Sequence, residues 1–437
     1  MICTGAQSAA KLWGKGVISV DKLRIRGGSA VSGEIGVHGA KNSSLPLLAA
    51  TILGTSESVL HNCPLLSDVD AACRILRYLG CKVKREGYTV MVDTSSLEHF
   101  DVPEELMREM RSSIVFLGAI IARLGCARLS FPGGCELGPR PIDLHLSALR
   151  QMGVEIREEH GYLDCKVDGR MKGASISLSF PSVGATENIL LAAATAEGRT
   201  IISNAAQEPE IVDLADFLNQ CGAKVSGAGK STIVIEGVEK LSGAEHTVIP
   251  DRIVAATYLC CGAITGGELY VRHVEPYHLA SVLPIIEQSG CRIRADADGI
   301  YLRSSGRLRA LKTVRTMPYP GFPTDAQAPV MALTTVARGT SVFVENIFEN
   351  RYKHVSELHR MGADIKVEGK VAVVEGVKQL YGATVEATDL RGGAAMLVAG
   401  LAAEGETIIS NIRHIERGYE QIDANLRQLG ADITKLD

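Results

Sequence analysis

The stretch "NILLAAATAEGRTIISN", Asn188 to Asn204, is written a second time as "AAMLVAGLAAEGETIISN", Ala394 to Asn411: an almost unbroken apolar run, a glycine, then a short β-like run. An alanine- and leucine-rich segment with no polar stripe predicts a helix surrounded on all sides. The run after Gly198 or Gly405 predicts a strand.

Looking outward from this pair, the same beat runs through the whole chain. Gly54, Gly125, Gly198, Gly266, Gly339 and Gly405 each precede such a run. A second series, "LGCKV", "MGVEI", "CGAKV", "SGCRI", "MGADI" and "LGADI", places glycines at 80, 153, 222, 290, 362 and 430, at intervals of 73, 69, 68, 72 and 68 residues. Six copies of one unit therefore build the chain. Within a unit the order reads buried helix, strand, amphipathic helix, then two strands joined by a tight turn. In the first unit Ser67 is the expected N-cap of the amphipathic helix, with Val69, Ala72, Ile75, Leu76 and Leu79 on its inner face and Gly80 closing it.

Six apolar helices must be enclosed by other elements, which predicts an inside-out α/β architecture with sheets and amphipathic helices outside. At 437 residues two domains are expected. Their predicted bounds are 41–248 for one set of three repeats and 20–40 plus 249–437 for the other, with residues 1–19 a flexible extension. The chain would then cross between domains near residues 40 and 249.

Bulk properties exclude several functions. A formal charge of -4 gives no global basic field, so sequence-independent nucleic-acid binding is not expected. The longest apolar run, Ala394 to Ala403, is about half of the roughly 20 residues a membrane span needs. Residues 1–19 lack the apolar core of a secretory signal. Eleven cysteines without a C-x-x-C pair predict a reducing cytoplasm and mostly inert thiols. No His/Cys/Asp cluster has metal-ligand spacing, so neither a metal nor a cofactor is expected. The oligomeric state stays open.

The segment preceding each buried helix is where chemistry collects, because a helix N-terminus offers free N–H groups and partial positive charge. These segments read "HGAKNSSLP", "MREMRSS", "FPSVGATEN", "VIPDR", "FPTDAQAP" and "ATDLRGG", and hold Lys41, Asn42, Arg111, Ser182, Gly184, Asp325, Asp389 and Arg391. Converging on a cleft, they would suit a phosphorylated ligand. Taken singly, Asp325 and Asp389 read as N-caps, and His145 as structural. A cation such as Lys41 or Arg391 at a helix N-terminus needs an anion to justify it. A parallel series of loops places Arg140, Arg351 and Arg417 at related positions. The second unit's loop, "FPGGCELGPRPID" over 131–143, adds Cys135 between a flexible glycine pair and a proline-stiffened Arg140, which suits a lid over an anion. "GAGKST", Gly227 to Thr232, mimics the end of a phosphate-binding loop, but strand patterns on both sides make it a hairpin turn.

The motifs "GAKNSSLP", "MRSSIVFLG", "PGGCELGPRPIDLH", "SVGATE", "EPEIVDLA", "FPTDAQA", "FENRYKHVSELHRMGA", "TDLRGGAA" and "HIERGYE" together resemble the enolpyruvyl transferase family, in the branch that acts on UDP-N-acetylglucosamine. The resemblance spans about Asp21 to Asp437, and "CELGPRP" departs from the commoner "CTIGARP" while keeping cysteine and arginine. It implies two domains of three βαβαββ units and transfer of the carboxyvinyl group of phosphoenolpyruvate to the sugar 3-hydroxyl, the first committed step of peptidoglycan synthesis. Residue by residue it implies that Lys41, Arg140 and Arg417 hold phosphoenolpyruvate, with Asn42 positioning the sugar. Asp325 would take or orient the hydroxyl proton, and Cys135 would protonate the methylene carbon and be open to trapping by fosfomycin. Arg111, Pro141, Asp143, Ser182, Val183, Gly184 and Ile347 would contact the nucleotide, with Asp389 and Arg391 in support. The shikimate 3-phosphate branch is the rival; its "GDKS"-like opening motif is replaced here by "GAKNSS", and it lacks the cysteine lid. A nucleotide-sugar sensor without turnover is the non-enzymatic alternative.

Overall fold

The structure, a computed structural model, describes residues 22–110, 112–131 and 142–436. Each predicted apolar segment is a buried helix: α1 (Lys41–Thr51), α2 (Phe116–Leu124), α3 (Val183–Ala193), α4 (Arg252–Ile264), α5 (Thr324–Thr334) and α6 (Leu390–Ala402). All thirteen residues of α4 are buried, as its lack of a polar face requires. Within the set, α4, α5 and α6 pack on one another, and α2 packs on α3.

Six four-stranded sheets enclose these helices. Each has the same plan, shown by the third: Ser175–Ser177 runs parallel to Arg199–Ser203, which pairs antiparallel with Thr232–Glu236, itself antiparallel to Lys224–Ser226. The last two strands flank "GAGKST", which is a turn between strands as its flanking patterns predict. The residue pattern shows three of the four strands per unit. The fourth, on the parallel edge, spans only two to four residues, for example Asp101–Val102 or Thr313–Arg315, too short to display a period of two.

Strand exchange closes two rings. Glu245–Thr247, at the end of the third unit, supplies the parallel edge of the first unit's sheet beside Ser58–His61. Lys22–Arg26 fills the sixth sheet between Glu406–Ser410 and Asp432–Leu436, and Gly33–Gly36 the fourth. Two apolar cores result. One gathers residues from Leu45 to Val248, the other Leu23 to Val37 with Val254 to Ile433.

The two connecting segments between the cores run side by side. Ala40 donates to the Ile249 carbonyl at 2.7 Å and Asp251 to that of His38 at 2.9 Å. Gly39 admits no side chain here, because a Cβ would lie 1.8 Å from the Asn62 carbonyl oxygen. Ser67 departs from its expected part: the amphipathic helix Ser67–Tyr78 already includes it, and the extended residue before it, Leu66, occupies the cap position without a side-chain hydrogen bond.

Candidate active site

Lys41 opens α1 directly after the first connecting segment, and its side chain is almost buried. Its backbone N–H donates to Asp251 Oδ2 at 3.3 Å, while Asp251 Oδ1 accepts from Ile253 and Val254 to cap α4. One carboxylate thus ties the N-termini of a helix from each core. Lys41 Nζ lies 3.2 Å from Asp68 Oδ2. From the other core, Arg417 donates through Nε to Asp68 Oδ1 at 2.9 Å and through Nη2 to Oδ2 at 3.1 Å. Asp68 is therefore the anion that a cation at the start of α1 requires. Burial pushes the Lys41 ammonium below its usual value; Asp68 pulls it up, and Arg391 and Arg417 add to the lowering. Burial would raise the Asp68 carboxyl, but Lys41 and Arg417 outweigh it and hold it low.

Asp325 stands in the first turn of α5 instead of capping it; the cap position belongs to Pro323. Its Oδ1 accepts from Arg351 Nη2 at 2.9 Å and its Oδ2 from Arg391 Nη2 at 3.2 Å. Burial works against the charge, yet Arg391, Arg351 and Lys41 together hold this carboxyl far below the usual range. Both guanidiniums are buried, and in both the Nε is without a partner. Arg391 also donates from Nη1 to Tyr419 Oη at 3.0 Å, and that hydroxyl lies 2.9 Å from Thr257 Oγ1. Asp389, read as an N-cap, is one: it accepts from the backbone N–H of Arg391 at 2.9 Å and of Gly392 at 3.1 Å.

A second group forms at α3. Ser182 caps the helix, accepting from Ala185 N–H at 3.3 Å, with Val183 and Gly184 in its first turn. The helix Asp143–Gln151 packs here through buried His145, whose ring would meet a Cβ on Gly184 at 3.1 Å. Asn188 Nδ2 lies 2.9 Å from His145 Nδ1, and burial lowers this imidazole to about 4, so it is a neutral structural histidine. Asp143 is exposed at the start of its helix. Ile347 donates its N–H to Glu345 Oε1 at 2.8 Å, and Glu345 Oε2 accepts from Thr324 beside Asp325.

Lys41, Arg417, Asp325 and Arg391 are thus gathered from both cores, with exposed Asn42 beside Lys41. Arg111, Cys135, Arg140 and Pro141 lie outside the described residues. Sequence reasoning missed Asp68, Asp251, Tyr419 and the buried pair of Arg252 Nε with Glu210 Oε1 at 3.1 Å, which also joins the two cores. Tyr419 and Glu210 stood inside motifs already singled out. Asp68 adjoins Ser67, whose capping potential drew attention away from it.

Comparison with known proteins follows the same outline. The family model described as EPSP synthase (3-phosphoshikimate 1-carboxyvinyltransferase) matches residues 25–426. A "UDP-N-acetylglucosamine 1-carboxyvinyltransferase 2" from Caldanaerobacter subterraneus subsp. tengcongensis is 52% identical over 95% of this chain and 99% of its own length. A UDP-N-acetylglucosamine 1-carboxyvinyltransferase from Synechocystis sp. is 47% identical over 95% of each. Among solved structures, the enolpyruvyl transferase NikO from Streptomyces tendae superimposes with a TM-score of 0.86 at 28% identity, covering 95% of this chain and 99% of that one. EPSP synthase from Acinetobacter baumannii, at 20% identity and a TM-score of 0.75 over 95% of this chain and 100% of its own, shares the fold.

Proposed function

The chain belongs to the EPSP synthase family of 1-carboxyvinyltransferases, and we propose that it transfers the enolpyruvyl group of phosphoenolpyruvate to the 3-hydroxyl of UDP-N-acetylglucosamine, releasing phosphate. The acceptor follows from relatives of 46–52% identity that carry this activity in their names. The product feeds peptidoglycan synthesis. The observation that carries the chemistry is the meeting of Lys41 and Arg417, one from each core, on a single carboxylate: a cation pair assembled across a cleft is what a phosphate ester needs.

In this reading the two cores are two domains, 41–248 and 20–40 with 249–437, closing on the substrates. Lys41 and Arg417 hold the phosphate, joined by Arg140 from the loop. Asn42 and Asp325 address the sugar hydroxyl, while Arg111, Pro141, Asp143, Ser182, Val183, Gly184 and Ile347 serve the nucleotide. Asp389 and Arg391 support them. The hydroxyl oxygen bonds to C2 of phosphoenolpyruvate while C3 receives a proton from the Cys135 thiol. A tetrahedral adduct results. Loss of a proton from C3 and of the phosphate from C2 restores the double bond. Asp325, held strongly acidic by two arginines, is a poor base toward a resting alcohol. It therefore acts as an acceptor that orients the hydroxyl and takes its proton only as the C–O bond forms. Closure excludes water through both steps.

Among the described residues no helix is long and apolar enough to cross a membrane, and the nine described cysteines are free. Free thiols support a cytoplasmic setting. The test is phosphate release from phosphoenolpyruvate with UDP-N-acetylglucosamine or shikimate 3-phosphate as acceptor. Release with the nucleotide sugar alone is expected; release only with shikimate 3-phosphate would transfer the chain to the rival branch, and no release with either would favour a sensor.

A further inference from the structure

Asp68 has no part in the reaction just described, yet both of its oxygens are committed to the two cations assigned to the phosphate. Arg417 meets it through two donors, at 2.9 and 3.1 Å, and Lys41 through one at 3.2 Å. Its side chain is 4% exposed, against 22% for Arg417 and 11% for Lys41, so it sits behind the cations. Arg417 acts on both Lys41 and Asp68, Arg391 acts on Lys41 as well, and Asp68 is the anion hydrogen-bonded to both Lys41 and Arg417.

We propose that Asp68 is an internal competitor for the phosphate-binding cations, keeping the site's hold on free inorganic phosphate, the product of the same reaction, weak enough for release. This rests on the reaction proposed above. An arriving phosphate dianion must weaken a buried, doubly hydrogen-bonded carboxylate or tolerate its charge close by, and either lowers its affinity. Phosphoenolpyruvate brings a second anionic group, its carboxylate, to recover that loss. Inorganic phosphate does not. After C–O cleavage the phosphate loses its tether to the carbon skeleton, and Asp68 reclaims Lys41 and Arg417, which favours release. No bond to Asp68 forms or breaks.

The experiment is calorimetric titration of inorganic phosphate into the full chain, comparing the parent protein with Asp68→Asn and Asp68→Glu. Asp68→Asn keeps the shape and removes the charge, and is expected to bind phosphate about tenfold or more tightly. Its phosphate inhibition of turnover should tighten in parallel. Asp68→Glu, which keeps the charge, should stay weak. Should Asp68→Asn fail to fold by circular dichroism, Asp68→Ser, with space for a water, is titrated in its place. Unchanged or weaker phosphate binding in the neutral variants would overturn the proposal and reduce Asp68 to a strut for the cations. The titration needs no turnover, so absence of activity with UDP-N-acetylglucosamine would defeat the proposed reaction separately.

Discussion

Two aspartates, each gripped by two cations, stand where the two cores meet, and they differ in where their partners come from. Asp68 joins Lys41 from its own core to Arg417 from the other. Asp325 takes Arg351 and Arg391, both from its own core. Their exposure differs too, at 4% of the side chain for Asp68 and 30% for Asp325. The same chemical unit therefore does two jobs. Enclosed between lobes, it sets the geometry and charge of a cation pair. Left partly open and over-supplied with arginines, it is the one that the proposed reaction assigns to the sugar hydroxyl.

The sharpest way to separate the two is substitution at the open one. Asp325→Asn should lower kcat by about 10²–10⁴ in the phosphate-release assay, the usual yield of a positioned proton acceptor. Turnover above a tenth of the parent's would erase the distinction. Next in size is the support beneath it. Arg391→Met leaves one oxygen of Asp325 without its partner and Tyr419 with Thr257 alone, and should cost about 3–5 kcal/mol in urea-unfolding free energy.

Acid titration asks whether either aspartate governs stability near neutrality. Both carboxyls are held low, so their stabilisation persists from neutral pH to about pH 4 and fades only as the pH falls through their folded values. Buried neutral His145 and His354, each lowered to about 4, act earlier. Between the ordinary histidine value of about 6.5 and pH 4 the unfolded chain takes up a proton at each that the folded one refuses, so stability falls with pH by about 2–3 kcal/mol for each histidine. Urea midpoints from pH 7.5 to 4.5 should show this slope in the parent and unaltered in Asp68→Asn; a flattened slope in that variant would assign it to the cleft. The smallest effect belongs to a site apart from both aspartates. Lys230→Ala, in the hairpin that mimics a phosphate loop, should leave turnover within about twofold, since its side chain is exposed on a turn between strands.

Much of the fold was legible because repetition amplifies weak signals. One alanine-rich run is ambiguous, but six at matched intervals, each followed by a glycine and a β-like run, leave one arrangement that buries them all. The short edge strands escaped because two to four residues carry no period, and their partners are set by ring closure over long separations, as with Glu245–Thr247 against Ser58–His61. Site residues were legible where an unfavourable local choice drew notice. A cation at a helix start is such a case, and Lys41 and Arg391 both met carboxylates. Asp325, the counter-ion of Arg391, stood out at the start of its own helix, but the counter-ion of Lys41 was not legible. Asp68 in a helix's first turn satisfies every local rule, and only the approach of Arg417, 349 residues away, gives it a further part. Asp389 shows the reverse: its local reading as a cap was sufficient.

Joint action of the two lobes on one phosphate is most directly tested by a double-mutant cycle on kcat/KM for phosphoenolpyruvate, using Lys41→Gln, Arg417→Gln and the pair. Cations that grip the same group should be coupled by about 1 kcal/mol or more, the double variant losing less than the sum of the singles. Additivity within about 0.5 kcal/mol would contradict a shared phosphate site and leave the cation pair on Asp68 a purely structural contact.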